Sequence, residues 1–174
     1  MKNKSKIIVV TGAESTGKST LAKALANHFS VPFIPEFARE YVENLNRNYT
    51  FNDVETIARK QVEQLHELLN SNSEFIILDT WLIITKIWFD VVFNQVPDWI
   101  DTEIRKTKID LFLVCNTDLP WVADDVRENG GDSREILHKT YIKEITKYGF
   151  NYNIVNGRDV ERLNKAIEII SNLK

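Results

Sequence analysis

Short apolar runs alternate along the chain with longer stretches in which apolar residues recur every three to four positions. Residues 7–11 are apolar and β-branched throughout, between a polar start and a glycine, and predict a buried strand. Residues 18–29 carry Leu21, Leu25 and Phe29 on one helical face. Residues 31–35 are apolar but hold Pro32 and Pro35, which predicts a short strand running into a loop. A helix over 37–45 follows, and then a longer one capped at Asn52-Asp53, with Val54, Ile57, Ala58, Gln61, Leu65 and Leu68 on its stripe. Residues 74–79 and 110–116 read as two further buried strands, and 152–155 as the last strand. Helices are predicted over 81–93, 97–108, 134–148 and 160–173; the second opens on Pro-Asp and ends basic, as the helix dipole favours. The stretch 117–133, with Pro120 and Gly130-Gly131, predicts a loop. Strands apolar along their whole length, each followed by helix, imply a mostly parallel five-stranded sheet covered on both faces. The expected fold is a three-layer α/β/α domain spanning residues 1–174.

Composition narrows the class. The 174 residues are 43% hydrophobic and 27% charged, ordinary for a soluble globular domain. A net charge of −3 argues against a protein built to grip nucleic acid. The apolar runs are too short to span a bilayer, and the basic start leads straight into a glycine loop, unlike a signal peptide. No membrane partner and a cytoplasmic location are therefore expected. The single cysteine, Cys115, excludes an intrachain disulfide framework and a cysteine-rich zinc site. His28, His66 and His138 show no metal-ligand spacing.

The candidate chemistry starts at Gly12-Ala13-Glu14-Ser15-Thr16-Gly17-Lys18-Ser19, followed by Thr20, which fits G-x-x-x-x-G-K-[ST] between a strand and a helix. This is the phosphate loop of a P-loop NTPase fold. The glycines allow a tight turn that brings backbone N–H groups against phosphate, and the helix adds its positive end. Lys18 suits the β- and γ-phosphates of ATP, and Ser19 suits Mg2+. Asp79 ends a buried strand, where a carboxylate that joins Ser19 in holding magnesium is expected; it could also cap the next helix.

Such loops serve switches, motors and kinases. Asn116-Thr117-Asp118 follows a strand but lacks the lysine of a guanine-reading N-K-x-D, which counts against a GTPase. The length suits a small-molecule kinase better than a motor. A lid is expected over about residues 120–134, with Arg127 and Arg134 placed to meet charge on the transferred phosphoryl group and Asp124 on the substrate side. The alternative is a solvated loop with its arginines in ion pairs. The acceptor side is expected at Glu36-Phe37-Ala38-Arg39-Glu40-Tyr41. There Glu36 could accept a hydroxyl proton, Arg39 could hold an anionic group, and Phe37 and Tyr41 could stack on a ring; an ordinary helix start fits the same residues. Trp81 and Trp121 fall where a ligand would lie, while Trp88 falls on a core stripe.

The segments Gly12-Ala-Glu-Ser-Thr-Gly-Lys-Ser-Thr20, Glu36-Phe-Ala-Arg-Glu-Tyr-Val42, Ile77-Leu-Asp-Thr80 and Pro120-Trp-Val-Ala-Asp-Asp-Val-Arg127 resemble, in order and spacing, the kinase domain of the NadR-type ribosylnicotinamide kinases. The resemblance implies ATP-dependent phosphorylation of the ribose 5′-hydroxyl of nicotinamide riboside, or of a related nucleoside, in a salvage route to NAD. It also implies that the catalytic set is Lys18, Glu36, Asp79, Arg127 and Arg134. Related stand-alone members carry an aspartate where this chain has Trp81, and some carry a tryptophan where it has Pro35; Trp81 or Trp121 is expected to supply the stacking surface instead. With six residues ahead of the first strand, the adenylyltransferase and DNA-binding domains of some family members are not expected. By analogy with related kinases, adenine recognition is expected near Asn156-Gly157-Arg158.

Overall fold

A computed structural model describes residues 5–123 and 130–173. Strands β1 (Lys6–Thr11), β2 (Phe33–Ile34), β3 (Phe75–Asp79), β4 (Leu111–Cys115) and β5 (Tyr152–Val155) form one sheet in the order β2-β3-β1-β4-β5. Every neighbouring pair is parallel, with Val10 opposite Asp79 and Thr11 opposite Val114. The helices are α1 (Lys18–Phe29), α2 (Phe37–Glu43), α3 (Phe51–Leu68), α4 (Leu82–Phe93), α5 (Asp98–Lys106), α6 (Asp132–Lys147) and α7 (Asp159–Ser171).

The side-chain alternation of the strands divides the core in two. Ile8, Val10, Ile77 and Leu113 pack with Leu21 and Leu25 of α1 and Ala166 and Ile170 of α7. Ile7, Val9, Ile76, Leu78 and Phe112 face the other way, onto α3, α4, α5 and the Tyr141–Ile145 side of α6. Both faces of β3 and β4 are buried at every residue, which explains their continuous apolar runs. The expected three-layer α/β/α fold is therefore the observed one. At the edge, β5 buries only Val155. Among the described residues, no helix is long and apolar enough to cross a membrane.

Among the boundaries that differ from the sequence reading, three have a plain local cause. The cap of α3 is Thr50, not Asn52: Thr50 Oγ1 accepts the Asp53 N–H, and the Asp53 carboxylate takes the Thr50 N–H at 2.7 Å, a reciprocal capping box. Arg47 binds the same carboxylate with two nitrogens at 2.7 and 2.9 Å, and the Tyr41 hydroxyl donates to it at 3.0 Å, so Asp53 fastens α2 to α3. Between Pro32 and Pro35, β2 is only two residues long. Helix α6 starts at Asp132 rather than Arg134, with Asp132 and Glu135 in its first turn, where the helix dipole favours acids.

Candidate functional site

All strands run the same way, so Thr11, Asp79 and Cys115 end on one edge, the edge at which open α/β sheets bind ligands. The loop from β1 to α1 crosses that edge. Two of its residues need glycine. Gly12 has φ 153°, and a Cβ there would lie 2.8 Å from Thr16 Oγ1 and 3.0 Å from the Cys115 carbonyl. Gly17 has φ 73° at the N-cap of α1, which has no side-chain cap, so the first N–H groups of the helix stay unclaimed by a capping side chain. Ser15 is also left-handed, with φ 58°. Alternation of this kind builds a concave anion nest.

Lys18, the first residue of α1, is largely buried, with Nζ 3.7 Å from Glu36 Oε2. Burial alone would lower its pKa, but the carboxylates of Glu36 and Asp79 outweigh that and leave it raised. It is a fixed cation. Asp79 is 3% exposed at the end of β3. Burial and the nearby Glu36 carboxylate push its carboxyl up to about 6, against the downward pull of the Ser19 hydroxyl, Lys18 and the Glu36 N–H. Its Oδ1 has no hydrogen-bond partner among the described residues. A buried, unpartnered carboxylate oxygen beside a serine hydroxyl on a helix N-terminus fits Mg2+, which takes few protein oxygens and completes its shell with phosphate and water. No denser group of three or more acidic, histidine or cysteine side chains suited to a metal occurs among the described residues.

Behind Asp79, Thr80 has φ 72° and its N–H bonds the Val10 carbonyl at 2.9 Å. Its hydroxyl accepts from Gln61 of α3, which in turn accepts from Thr85 of α4 at 2.9 Å. This buried chain fixes the end of β3 against two helices.

The structure brings Gly12 to Thr20, Glu36 and Asp79 together. It also brings Trp121 and Arg134 to the phosphate loop, in ways the sequence did not predict. Ser15 Oγ accepts from the Val122 N–H at 3.0 Å and donates to the Pro120 carbonyl, so the segment around Trp121 lies on the loop. Arg134 is 6% exposed within α6, not on an open lid, and its Nη2 donates to the Ser15 carbonyl at 3.0 Å. Asp124 and Arg127 lie outside the described residues. Trp81 requires a correction: it is 1% exposed in the core beneath α4, so it presents no face to a ligand. Arg39 is exposed and pairs with Glu43 at 2.9 Å. Phe37 and Tyr41, with ring centroids 5.7 Å apart, line a shallow groove of about 290 Å³ along α2 with Glu40, Asn44 and Leu45.

Sequence reasoning missed Arg162, and it singled out Asp118 and Gly157 without the contacts that join them to it. Arg162 of α7 is 4% exposed and donates to the Thr16 carbonyl, to Asp118 and to the Gly157 carbonyl, while the Gly157 N–H donates to Asp118 Oδ2 at 2.7 Å. The signal was present: Arg162 sits four residues before Ala166 and eight before Ile170, a charge on the buried stripe of its helix.

The AAA_28 family model, an AAA domain, matches residues 7–162. The trifunctional NAD biosynthesis/regulator protein NadR of Salmonella typhimurium is 22% identical over 172 residues, covering 95% of this chain and 42% of that protein. NadR of Escherichia coli is 22% identical over 169 residues, with 94% and 41% covered. The chain thus spans less than half the length of these curated relatives. Among solved structures, NadR in complex with NR superposes with a TM-score of 0.80 at 25% identity, over 97% of this chain and 50% of that one. A thymidylate kinase from Ehrlichia chaffeensis superposes at 0.66 with 13% identity, over 97% and 99%, a likeness of fold.

Proposed function

The chain belongs to the AAA_28 family of AAA domains, and on that premise we propose that it is an ATP-dependent kinase of a small nucleoside, with nicotinamide riboside as its acceptor and nicotinamide mononucleotide as its product. The observation that carries the reading is the convergence of Lys18, Glu36 and Asp79 at one end of the phosphate loop, with Lys18 3.7 Å from Glu36. A cation for the donor phosphates thus stands next to a carboxylate suited to the acceptor. The likeness to NadR holding NR supports the choice of acceptor, and the likeness to NadR holding NAD and AMP-PNP, at a TM-score of 0.79, supports the choice of donor.

In this reading the amides of the loop and Lys18 hold the β- and γ-phosphates of ATP. Mg2+, held by Ser19 and Asp79, neutralises charge on the phosphates when bound. Glu36 orients the ribose 5′-hydroxyl and accepts its proton as the oxygen bonds to the γ-phosphorus and the bond to ADP breaks. Arg127, outside the described residues, is the proposed cation for the transferring group. Arg134, held on the loop, acts on it from behind. Phe37 and Tyr41 offer the acceptor ring an aromatic wall, the part Trp81 is too deep to play.

The test is acceptor-dependent ADP release across a panel of nicotinamide riboside and the common nucleosides. Release with nicotinamide riboside well above the rest is expected. Release with another nucleoside alone would move the acceptor, and hydrolysis indifferent to every acceptor would overturn the kinase reading in favour of a nucleotide-dependent binding module.

A further inference from the structure

Three carbonyls of the phosphate loop are each held by a side chain from behind. Thr16 Oγ1 donates to the Ala13 carbonyl at 2.8 Å, Arg134 Nη2 to the Ser15 carbonyl at 3.0 Å, and Arg162 Nη1 to the Thr16 carbonyl. In a trans peptide the C=O of one residue and the N–H of the next point in opposite directions. A carbonyl drawn to the back of the loop therefore turns the following N–H to the front. Of the three donors, Arg162 also reaches other chain segments: its Nε donates to the Gly157 carbonyl at 2.8 Å, and its Nη2 meets the Asn116 carbonyl at 3.5 Å and pairs with Asp118. Asp118 closes the ring by accepting the Gly157 N–H. The loop after β1, the turn after β4 and the turn after β5 thus share one buried guanidinium.

We propose that Arg162 is a positioning residue for nucleotide phosphate: by holding the Thr16 carbonyl it aims the Gly17 N–H into the nest, and it locks that aim to the two turns that follow β4 and β5. The inference rests on the nucleotide-binding reading above. A guanidinium suits the task because its planar fork serves several acceptors at fixed angles, which an ammonium cannot do. Its charge is matched by Asp118, which is partly exposed. Arg162 has no role on the front of the loop, so its effect on phosphate passes through the backbone.

The experiment compares the wild type, Arg162→Lys and Arg162→Met, titrated with magnesium tripolyphosphate and MgATP. Calorimetry reads affinity, and backbone 15N NMR reads the Gly17 amide. In the wild type both ligands bind and the Gly17 resonance moves downfield. Arg162→Met is expected to lose about tenfold or more in affinity for both ligands, together with most of the Gly17 displacement. Arg162→Lys keeps the charge opposite Asp118, keeps the fold, and falls between the two. If Arg162→Met fails to fold, Arg162→Lys carries the comparison. Affinities of the folded variants within about twofold of wild type, or a loss with the Gly17 displacement unchanged, overturn the inference and leave the nucleotide reading standing. A wild type that binds neither ligand overturns the nucleotide reading itself.

Discussion

Replacing Asp79 by asparagine is expected to stabilise the ligand-free protein while abolishing its activity. Folding takes this carboxyl from an ordinary value of 3.8 to about 6, chiefly by burial and then by the nearby Glu36 carboxylate. The folded chain therefore holds the proton more tightly than the unfolded one. The contribution to stability is fully present below pH 3.8 and is lost as the pH rises through about 6. Above that, the ionised carboxylate costs about 3 kcal/mol, from about 1.4 kcal/mol for each pH unit between the two values. Asparagine imitates the protonated acid at every pH. Asp79→Asn should thus match the wild type near pH 4 and exceed it by up to about 3 kcal/mol at pH 8, which for a chain of this size raises the melting temperature by about 6–12 °C. Urea denaturation at the two pH values, with EDTA to remove Mg2+, measures the difference. A variant no more stable than wild type at pH 8 would refute the reasoning. So would an advantage of equal size at both pH values, which would point to packing rather than charge. Added Mg2+ should narrow the gap by stabilising the wild type alone.

Lys18→Met should lower kcat/KM for ATP by about a hundredfold or more, with KM and kcat both affected, because it removes the fixed cation from ground state and transition state alike; steady-state kinetics resolves the two. Glu36→Gln should lower kcat by about a hundredfold and leave the KM for ATP near the wild-type value, since the proposed role of Glu36 is on the acceptor side. Gly12→Ala should abolish ATP binding in calorimetry, because the new methyl would crowd Thr16 Oγ1 and the Cys115 carbonyl at a φ that L-residues avoid. Asp53→Asn should lower the melting temperature at pH 7. Arg47 and Thr50 hold the Asp53 carboxyl well below the usual carboxylate range, so its contribution is present in full above pH 3.8 and shrinks as the pH is lowered from there; thermal melts at pH 7 and pH 3 should show the variant's deficit narrowing.

The fold was legible because every strand that positions the phosphate loop is buried on two faces, and such strands have few other readings. The runs at 7–11, 74–79 and 110–116 became β1, β3 and β4 with small changes at the ends. The helix starts were less clear. Asn52 and Thr50 are both good caps, and only the reciprocal bond to Asp53 separates them. The phosphate loop is contiguous in sequence, and so is the pairing of Glu36 with the start of α2. Arg134 and Arg162 meet the loop across 119 and 146 residues of separation, and Asp118 meets Arg162 across 44; such meetings depend on how α6 and α7 pack. Trp81 misled for a related reason. Its position after Asp79 put it near the ligand edge in sequence, but the turn at Thr80 directs the indole into the layer under α4.

One contact reaches beyond the reaction. Trp121 and Gly130 stand on either side of residues 122–129, and a methyl added at Gly130 would lie 3.2 Å from the Trp121 indole. Gly130 therefore packs against the Trp121 indole, and the neighbours of Trp121 in the chain, Pro120 and Val122, are tied to Ser15. Closing a loop is entropically cheap to extend once its ends are fixed. An insertion between Ala123 and Gly130 should therefore leave the phosphate loop undisturbed, because the contacts of Ser15 with Pro120 and Val122 lie outside the inserted stretch.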